Sequence, residues 1–341
     1  MATIEDIGID LGSSNVLICG RGKGIVLNEP AMLAVDYDTR SVIAIGMEAY
    51  KMMGREPGNI RVVRPLGEDS IHDFDMLGIM LSHFVRMVVG KRVFSRPRAV
   101  LSISAKANEL EKRQLILGML EAGTRRTQLL PRPVAAAVGA GLQVLPHFGQ
   151  MVIDIGGSNS HAAVIASGEI MMESTEIAGG DAFTNAIIKY VRLKHNLLIG
   201  IPTAEGIKCD IGTVRDLGDS DLSLPVAGRN LVSGLPKQID LNRAEVTEAM
   251  EEPLRAMLEG IRGVIEHLPP ELANDVFDNG ITLTGGGARL KGLEEVISED
   301  IKIKCHTAEQ PQDCVAVGCG AVLERMGELG VLLSDSRKKK K

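Results

Sequence analysis

The chain has 341 residues, 45% of them apolar, enough for about two ordinary domains with large buried cores. A net charge of −6 excludes a general nucleic-acid binder, and the lack of Trp, with only 3% aromatics, excludes base-stacking platforms. No apolar run approaches the ~20 residues of a membrane span. The five scattered cysteines (Cys19, Cys209, Cys305, Cys314 and Cys319), with no secretory signal before them, read as reduced and mostly buried thiols of a cytoplasmic protein.

The first 45 or so residues read as consecutive short strands, including Val16–Cys19, Gly24–Leu27 and Met32–Val35, separated by Gly, Asn-Glu-Pro or charged turns. Asp73 is placed to cap a helix running to about Val89, whose Leu77, Met80, Leu81, Val85 and Val88 recur at helical spacing. A buried-type strand follows at Ala99–Ile103, then a helix from Asn108 to about Ala122. Pro133–Gly141 forms a helix of small residues suited to close packing against a neighbour.

The second half repeats that order. Met151–Ile155, His161–Ala166 and Glu169–Ser174 form a meander, followed by helices at Asp181–Lys194 and Thr203–Ile211. A hairpin or meander over Leu222–Leu241 turns near Gly228-Arg229-Asn230. Asn242 caps a long helix that ends near Pro269-Pro270. A glycine turn at Gly285–Gly287, another helix, a strand at Ile301–Lys304 and a helix from about Gln312 to Met326 complete the chain. Arg337–Lys341 is a basic tail.

Two segments read alike, and each is suited to holding an anion. Ile7–Asn15 and Met151–Ser160 are both an apolar strand ending in Asp-x-Gly, then small polar residues, then a second strand. Glycine allows close backbone approach, and the N–H groups of such a turn can form an anion-binding nest. Asp10 and Asp154 stand where they could hold a cation through water. A third element, Ile281–Leu290, is a strand, a glycine turn and the start of a helix, whose N–H groups favour negative charge. Each motif alone is weak; the ordered set of three suggests two related half-molecules closing on one polyphosphate.

This duplicated arrangement resembles the actin, sugar-kinase and heat-shock chaperone ATPase superfamily. Segments spread over nearly the whole chain are similar to its MreB branch of bacterial actins, among them Gly24–Pro30, Gly54–Ile60, Ile71–Asp75, Tyr190–Gly200, Thr203–Lys208 and Val226–Pro236. The resemblance implies an α/β fold of duplicated actin-like (ribonuclease H-like) domains with a central nucleotide cleft and two smaller subdomains. The first half would span 1–145 (small subdomain about 33–70) and the second 146–311 (small subdomain about 186–243). A helix at 312–330 would pack back on the first half, before the 331–341 tail.

It also implies ATP and Mg²⁺ as cofactors. Gly12, Ser13, Ser14 and Asn15 would form one phosphate loop, and Gly156, Gly157, Ser158 and Asn159 the other. Asp10 and Asp154 would order the Mg²⁺ shell through water. Glu205 and Lys208, with Gly206 and Ile207 between them, would contact ribose and adenine. Gly285, Gly286, Gly287 and Ala288 would lie against the adenosine and α-phosphate, and Gly179, Gly180 and Asp181 would border the cleft.

The departures fall at the hydrolysis positions. Pro131-Arg132 stands where the family has Glu-Glu, Asn159 where it has a threonine, His161 where it has a Glu after the loop, and Gly206 where it has a second helix Glu. Arginine cannot accept a proton, and positioning water is the protein's main task in transferring a phosphoryl group to it. Arg132 is expected either to pair with a bound phosphate or to be a rim charge with no nucleotide contact. No catalytic residue is assigned, and at most a weak ATPase is expected.

In Lys91–Arg98, Val93 and Phe94 lie among four cations, a composition suited to shallow insertion at an anionic membrane surface. The expectation is an ATP-binding actin, cytoplasmic and peripheral at the inner face of the cell membrane. It would form filaments with itself, work with the cell-wall elongation machinery in determining cell shape, and bind no nucleic acid. Two alternatives stand: a non-polymerising, nucleotide-locked regulator of another actin, and a small-molecule kinase of the same superfamily, for which the chain lacks large inserted subdomains.

Overall fold

A computed structural model of the chain describes residues 5–67, 71–90, 96–218 and 221–333. Its frame is two five-stranded sheets of identical plan. In the first, the strand Asp6–Leu11 pairs antiparallel with Asn15–Gly20, which pairs antiparallel with Gly24–Pro30; on its other side Asp6–Leu11 runs parallel to Arg98–Ile103, then Arg126–Pro131. In the second, Gln150–Ile155 holds the place of Asp6–Leu11. Asn159–Ala166 and Glu169–Ala178 flank it on one side, and Ile281–Thr284 and Cys305–Thr307 on the other.

Both central strands are continuous apolar runs because both faces of each sheet are covered. Ile7 and Ile9 are buried in one, and Met151, Val152 and Ile153 in the other. The charged exceptions sit at the strand ends. Asp6, at the start of the first, accepts hydrogen bonds from Arg98 Nε at 2.7 Å and Arg21 NH1 at 3.0 Å. The Arg98 bond, outweighing burial, holds the Asp6 carboxyl below its ordinary value.

Two small three-stranded sheets lie outside these. One joins Ser41–Ile45, Leu33–Asp36 and Ile60–Val63; the other joins Leu197–Leu198, Ser223–Asn230 and Pro236–Asn242. The hairpin turn of the second lies at residues 231–235, just beyond the expected Gly228–Asn230.

Three of the expected helices begin on a side-chain cap. Asp73 accepts a hydrogen bond from the Met76 amide and starts Phe74–Val89. Asn108 with Glu111, and Asn242 with Glu245, make complete capping boxes for Glu109–Glu121 and Arg243–Glu266.

The small-residue helix is Arg132–Gly139, and its partner is Cys314–Glu324. They cross in backbone contact: a Cβ on Gly139 would collide with the Cys314 carbonyl, and one on Gly318 with the Ala135 carbonyl. Cys314–Glu324 also covers Asp6–Leu11, so the C-terminal helix rests on the first sheet.

Three readings are corrected. A helix at Pro270–Asn279 replaces the simple connection after the proline pair, with Pro270 serving as a helix start rather than only a stop. Ile301–Lys304 is not a strand: Ile301 ends the helix Leu293–Ile301, and pairing begins at Cys305. The segment after the Gly285 turn is a four-residue 3-10 turn, Gly286–Arg289, so no α-helix N-terminus faces the cleft there. Among the described residues the cysteines are unbridged, with Cys209 exposed and the other four buried.

Candidate functional site

The two Asp-x-Gly hairpins adopt the same geometry. The Gly12 amide donates to the Asn15 carbonyl at 3.1 Å, and the Gly156 amide to the Asn159 carbonyl at 3.1 Å. In both, a Cβ on the glycine would lie 2.6 Å from that same carbonyl oxygen, closer than real Cβ atoms come. Each hairpin therefore requires glycine for the same reason, and the likeness read in the sequence is a likeness of backbone path.

The loops face one another across the molecule. The Ser158 amide donates to Ser13 Oγ at 3.3 Å, and a Cβ on Gly157 would strike the Ser14 hydroxyl. Carbonyls of the second loop also receive the first amides of the helix Gly180–His195: Gly180 to Gly156 at 2.9 Å and Asp181 to Gly157 at 2.8 Å. That helix start is coupled rigidly to the loop.

Above the loops lies a cavity of about 830 Å³, within the range of small-molecule and cofactor sites. Its lining includes Asp10, Gly12–Asn15, Gly156, Gly157, Asn159, Gly180, Asp181, Glu205, Lys208 and Gly285–Gly287. Ser158, Gly179, Gly206, Ile207, Ala288 and Asp154 do not line it. Ile207 and Ala288 are buried in the second core, and Gly179 packs on the backbone of Gly157 and Ser158.

Glu205 and Lys208 form a fixed cluster, not a solvated pair. Their ion pair is 2.8 Å; Thr184 donates to Glu205 at 2.6 Å; and Lys208 reaches the Gly180 carbonyl at 3.0 Å.

The sequence reading missed several groups that complete the site. Ser102 donates to Asp10 at 3.1 Å, and Thr284 donates to Asp154 at 3.1 Å. Each hydroxyl sits on the strand running parallel to its aspartate's own, so the duplication extends to the support of the carboxylates. Arg64, from the first small sheet's side, donates to Asp181 of the other half at 2.7 Å. Tyr50 and Arg289 also line the cavity. No local motif marks these residues; only the pairing of the duplicated strands would have pointed to Ser102 and Thr284.

Arg132 is the centre of the arrangement, and it is not a rim charge. Its side chain is 15% exposed and lies between the two aspartates, its Nε 2.7 Å from Asp154 and its NH1 2.6 Å from Asp10. Burial pushes the Asp10 carboxyl up against the attraction of Arg132. Burial also works against the charge on Arg132, yet the two carboxylates outweigh it and raise its pKa, so the guanidinium stays charged. His161 lies buried at the cavity wall, 3.7 Å from Glu173.

The residues do not fit the expected Mg²⁺. The space between Asp10 and Asp154 holds the guanidinium, and their remaining hydrogen bonds come from Ser102 and Thr284. A hydrated cation shared by the two carboxylates would require Arg132 to leave. Val93 and Phe94 lie outside the described residues.

A duplicated sheet plan, paired glycine hairpins and a central cleft define a protein of the actin-like class. The solved structures agree. The crystal structure of MreB 5 of Spiroplasma citri bound to AMPPNP matches with a TM-score of 0.89 and 31% identity, covering 96% of this chain and 98% of that one. The ADP-bound form of that protein matches at 0.88 and 32%, over 94% and 96%. The MamK double helical filament shares the fold at 0.77 and 18% identity, over 94% and 98%.

A profile of the MreB/Mbl protein family matches residues 4–331, and the chain belongs to that family. It is 41% identical over 326 residues to the cell shape-determining protein Mbl of Bacillus subtilis, covering 95% of this chain and 97% of that protein. It is 42% identical over 326 residues to the cell shape-determining protein MreB of Escherichia coli, covering 94% and 93%.

Proposed function

We propose that this chain is a nucleotide-dependent actin that assembles into filaments and takes part in determining cell shape, with slow or absent hydrolysis. The observation that carries the reading is the pair of glycine hairpins with the same hydrogen bond facing one cavity, in a chain whose relatives are named for cell shape and whose solved neighbours hold AMPPNP and ADP. In this reading the halves 1–145 and 146–311 close on ATP from opposite sides. The loops Gly12–Asn15 and Gly156–Asn159 meet the phosphates, and the Glu205–Lys208 cluster meets the nucleoside. Arg132 and Asn159 stand where the family orients water; an arginine held by two carboxylates has no acceptor to offer a water molecule.

The filament part has support on this chain's own surface. The hairpin Ser223–Asn242 ends in an apolar tip, with Val232 83% and Leu235 65% exposed beside Leu231. Three exposed apolar side chains on one turn suit a contact with another copy of the chain. Filaments would lie at the inner face of the membrane with the elongation machinery, Val93 and Phe94 meeting anionic lipid. Among the described residues no helix is long and apolar enough to cross a membrane.

The test is sedimentation of the full chain with ATP, ADP, AMPPNP or no nucleotide. The parent is expected to pellet only with nucleotide, and Val232→Asp with Leu235→Asp to stay in the supernatant while still binding ATP. A parent that binds ATP yet never pellets would favour the second reading, a nucleotide-locked regulator of another actin, to which the position of Arg132 also points.

A further inference from the structure

The strongest unexplained feature is a buried cation at the point where the two halves meet. We propose that this cleft binds its nucleotide without a divalent cation, the Arg132 guanidinium serving as the built-in cation between the two phosphate loops. The inference rests on the nucleotide reading above.

Arg132 sits at the start of the helix Arg132–Gly139 and bridges Asp10 of the first central strand to Asp154 of the second. A guanidinium has five N–H donors in a planar fork. The described carboxylates take three, from Nε and NH1 at short range and from NH2 at 3.4 Å. Two of the five donors have no described carboxylate partner, and the side chain lines the cavity. With one fork of the guanidinium on Asp10 and Nε on Asp154, a remaining N–H can give a phosphate oxygen a single charge-assisted hydrogen bond, among the stronger contacts a neutral site lacks.

The competition with Mg²⁺ can be weighed. A divalent cation shared by Asp10 and Asp154 would compete for the carboxylates that Arg132 occupies, and Mg²⁺ dehydrates reluctantly. Expelling Arg132 breaks its hydrogen-bonded ion pairs with Asp10 and Asp154, a cost that the incoming cation must offset. Arg132 is also part of the chain and never dissociates. Arg64 and Lys208 line the same cavity paired to Asp181 and Glu205, while Arg289 and Lys291, whose described hydrogen bonds go to neutral groups, add positive charge to it.

The experiment is titration of the full chain with ATP by calorimetry, in buffer with millimolar Mg²⁺ and in buffer with EDTA. The parent is expected to bind ATP in EDTA at least as tightly as in Mg²⁺, which sequesters free ATP, and a tightening of about tenfold or more by Mg²⁺ would overturn the proposal. No binding in either buffer would overturn the nucleotide reading instead.

Arg132→Met is the second arm. Loss of binding in EDTA supports the proposal, whether or not Mg²⁺ restores it. Binding in EDTA as tight as the parent's overturns it. Should Arg132→Met fail to fold, the parent's two titrations decide the matter alone.

Discussion

Arg132→Met is expected to lose about 3–5 kcal/mol of stability in buffer without divalent cations, the usual cost of removing one partner from a buried ion pair. The substitution keeps most of the side-chain volume, so the loss measures charge and hydrogen bonding more than packing. It leaves Asp10 and Asp154 facing each other in a buried site, each keeping only its hydroxyl partner, Ser102 or Thr284. Two buried carboxylates with no cation between them repel, and one must take up a proton. Thermal unfolding of the variant should therefore shift upward on adding Mg²⁺, while the parent, whose cation is covalently attached, should not respond. A variant as stable as the parent in EDTA would show that the bridge contributes nothing.

Gly318→Val is expected to be strongly damaging although it lies outside the cleft. The helices Arg132–Gly139 and Cys314–Glu324 touch backbone to backbone, and any side chain on Gly318 meets the Ala135 carbonyl. Overpacking a core costs about 1–3 kcal/mol when side chains can yield. Here the obstacle is main chain, so the loss should exceed about 3 kcal/mol, and thermal unfolding measures it. The effect would also reach the site, because the displaced helix carries Arg132 at its first turn. A folded Gly318→Val protein with unchanged melting would mean the helices have room that the structure denies them.

Much of the frame could be read from residue order. The near-copy Asp-x-Gly segments gave the duplication, and Asn108, Asn242 and Asp73 gave three helix starts because capping is local chemistry. What failed was also local. Ile301 and Ile303 look like a strand, yet Ile301 closes a helix and Ile303 fills the core after it. Pro270 looks like an end and is a beginning.

The site was legible to the extent that glycine carries it. Gly12 and Gly156 announce themselves because nothing else fits their turns. Ser102, Thr284 and Arg64 do not, because each matters only through a partner 92, 130 or 117 residues away. Arg132 was visible as a departure from the family pattern. Its role was not, since a charge in a cleft can sit on the rim or at the centre, and only the positions of Asp10 and Asp154 decide.

The central claim is assembly driven by nucleotide with slow or absent turnover, and it is tested most directly by measuring sedimentation and phosphate release on the same ATP-containing sample. The account predicts that the protein pellets with ATP while phosphate release stays slow or absent, close to a protein-free control, because Arg132 offers no acceptor to orient water. Repeated turnover of ATP by the pelleted protein, falling away when assembly is blocked at Val232 and Leu235, would contradict it.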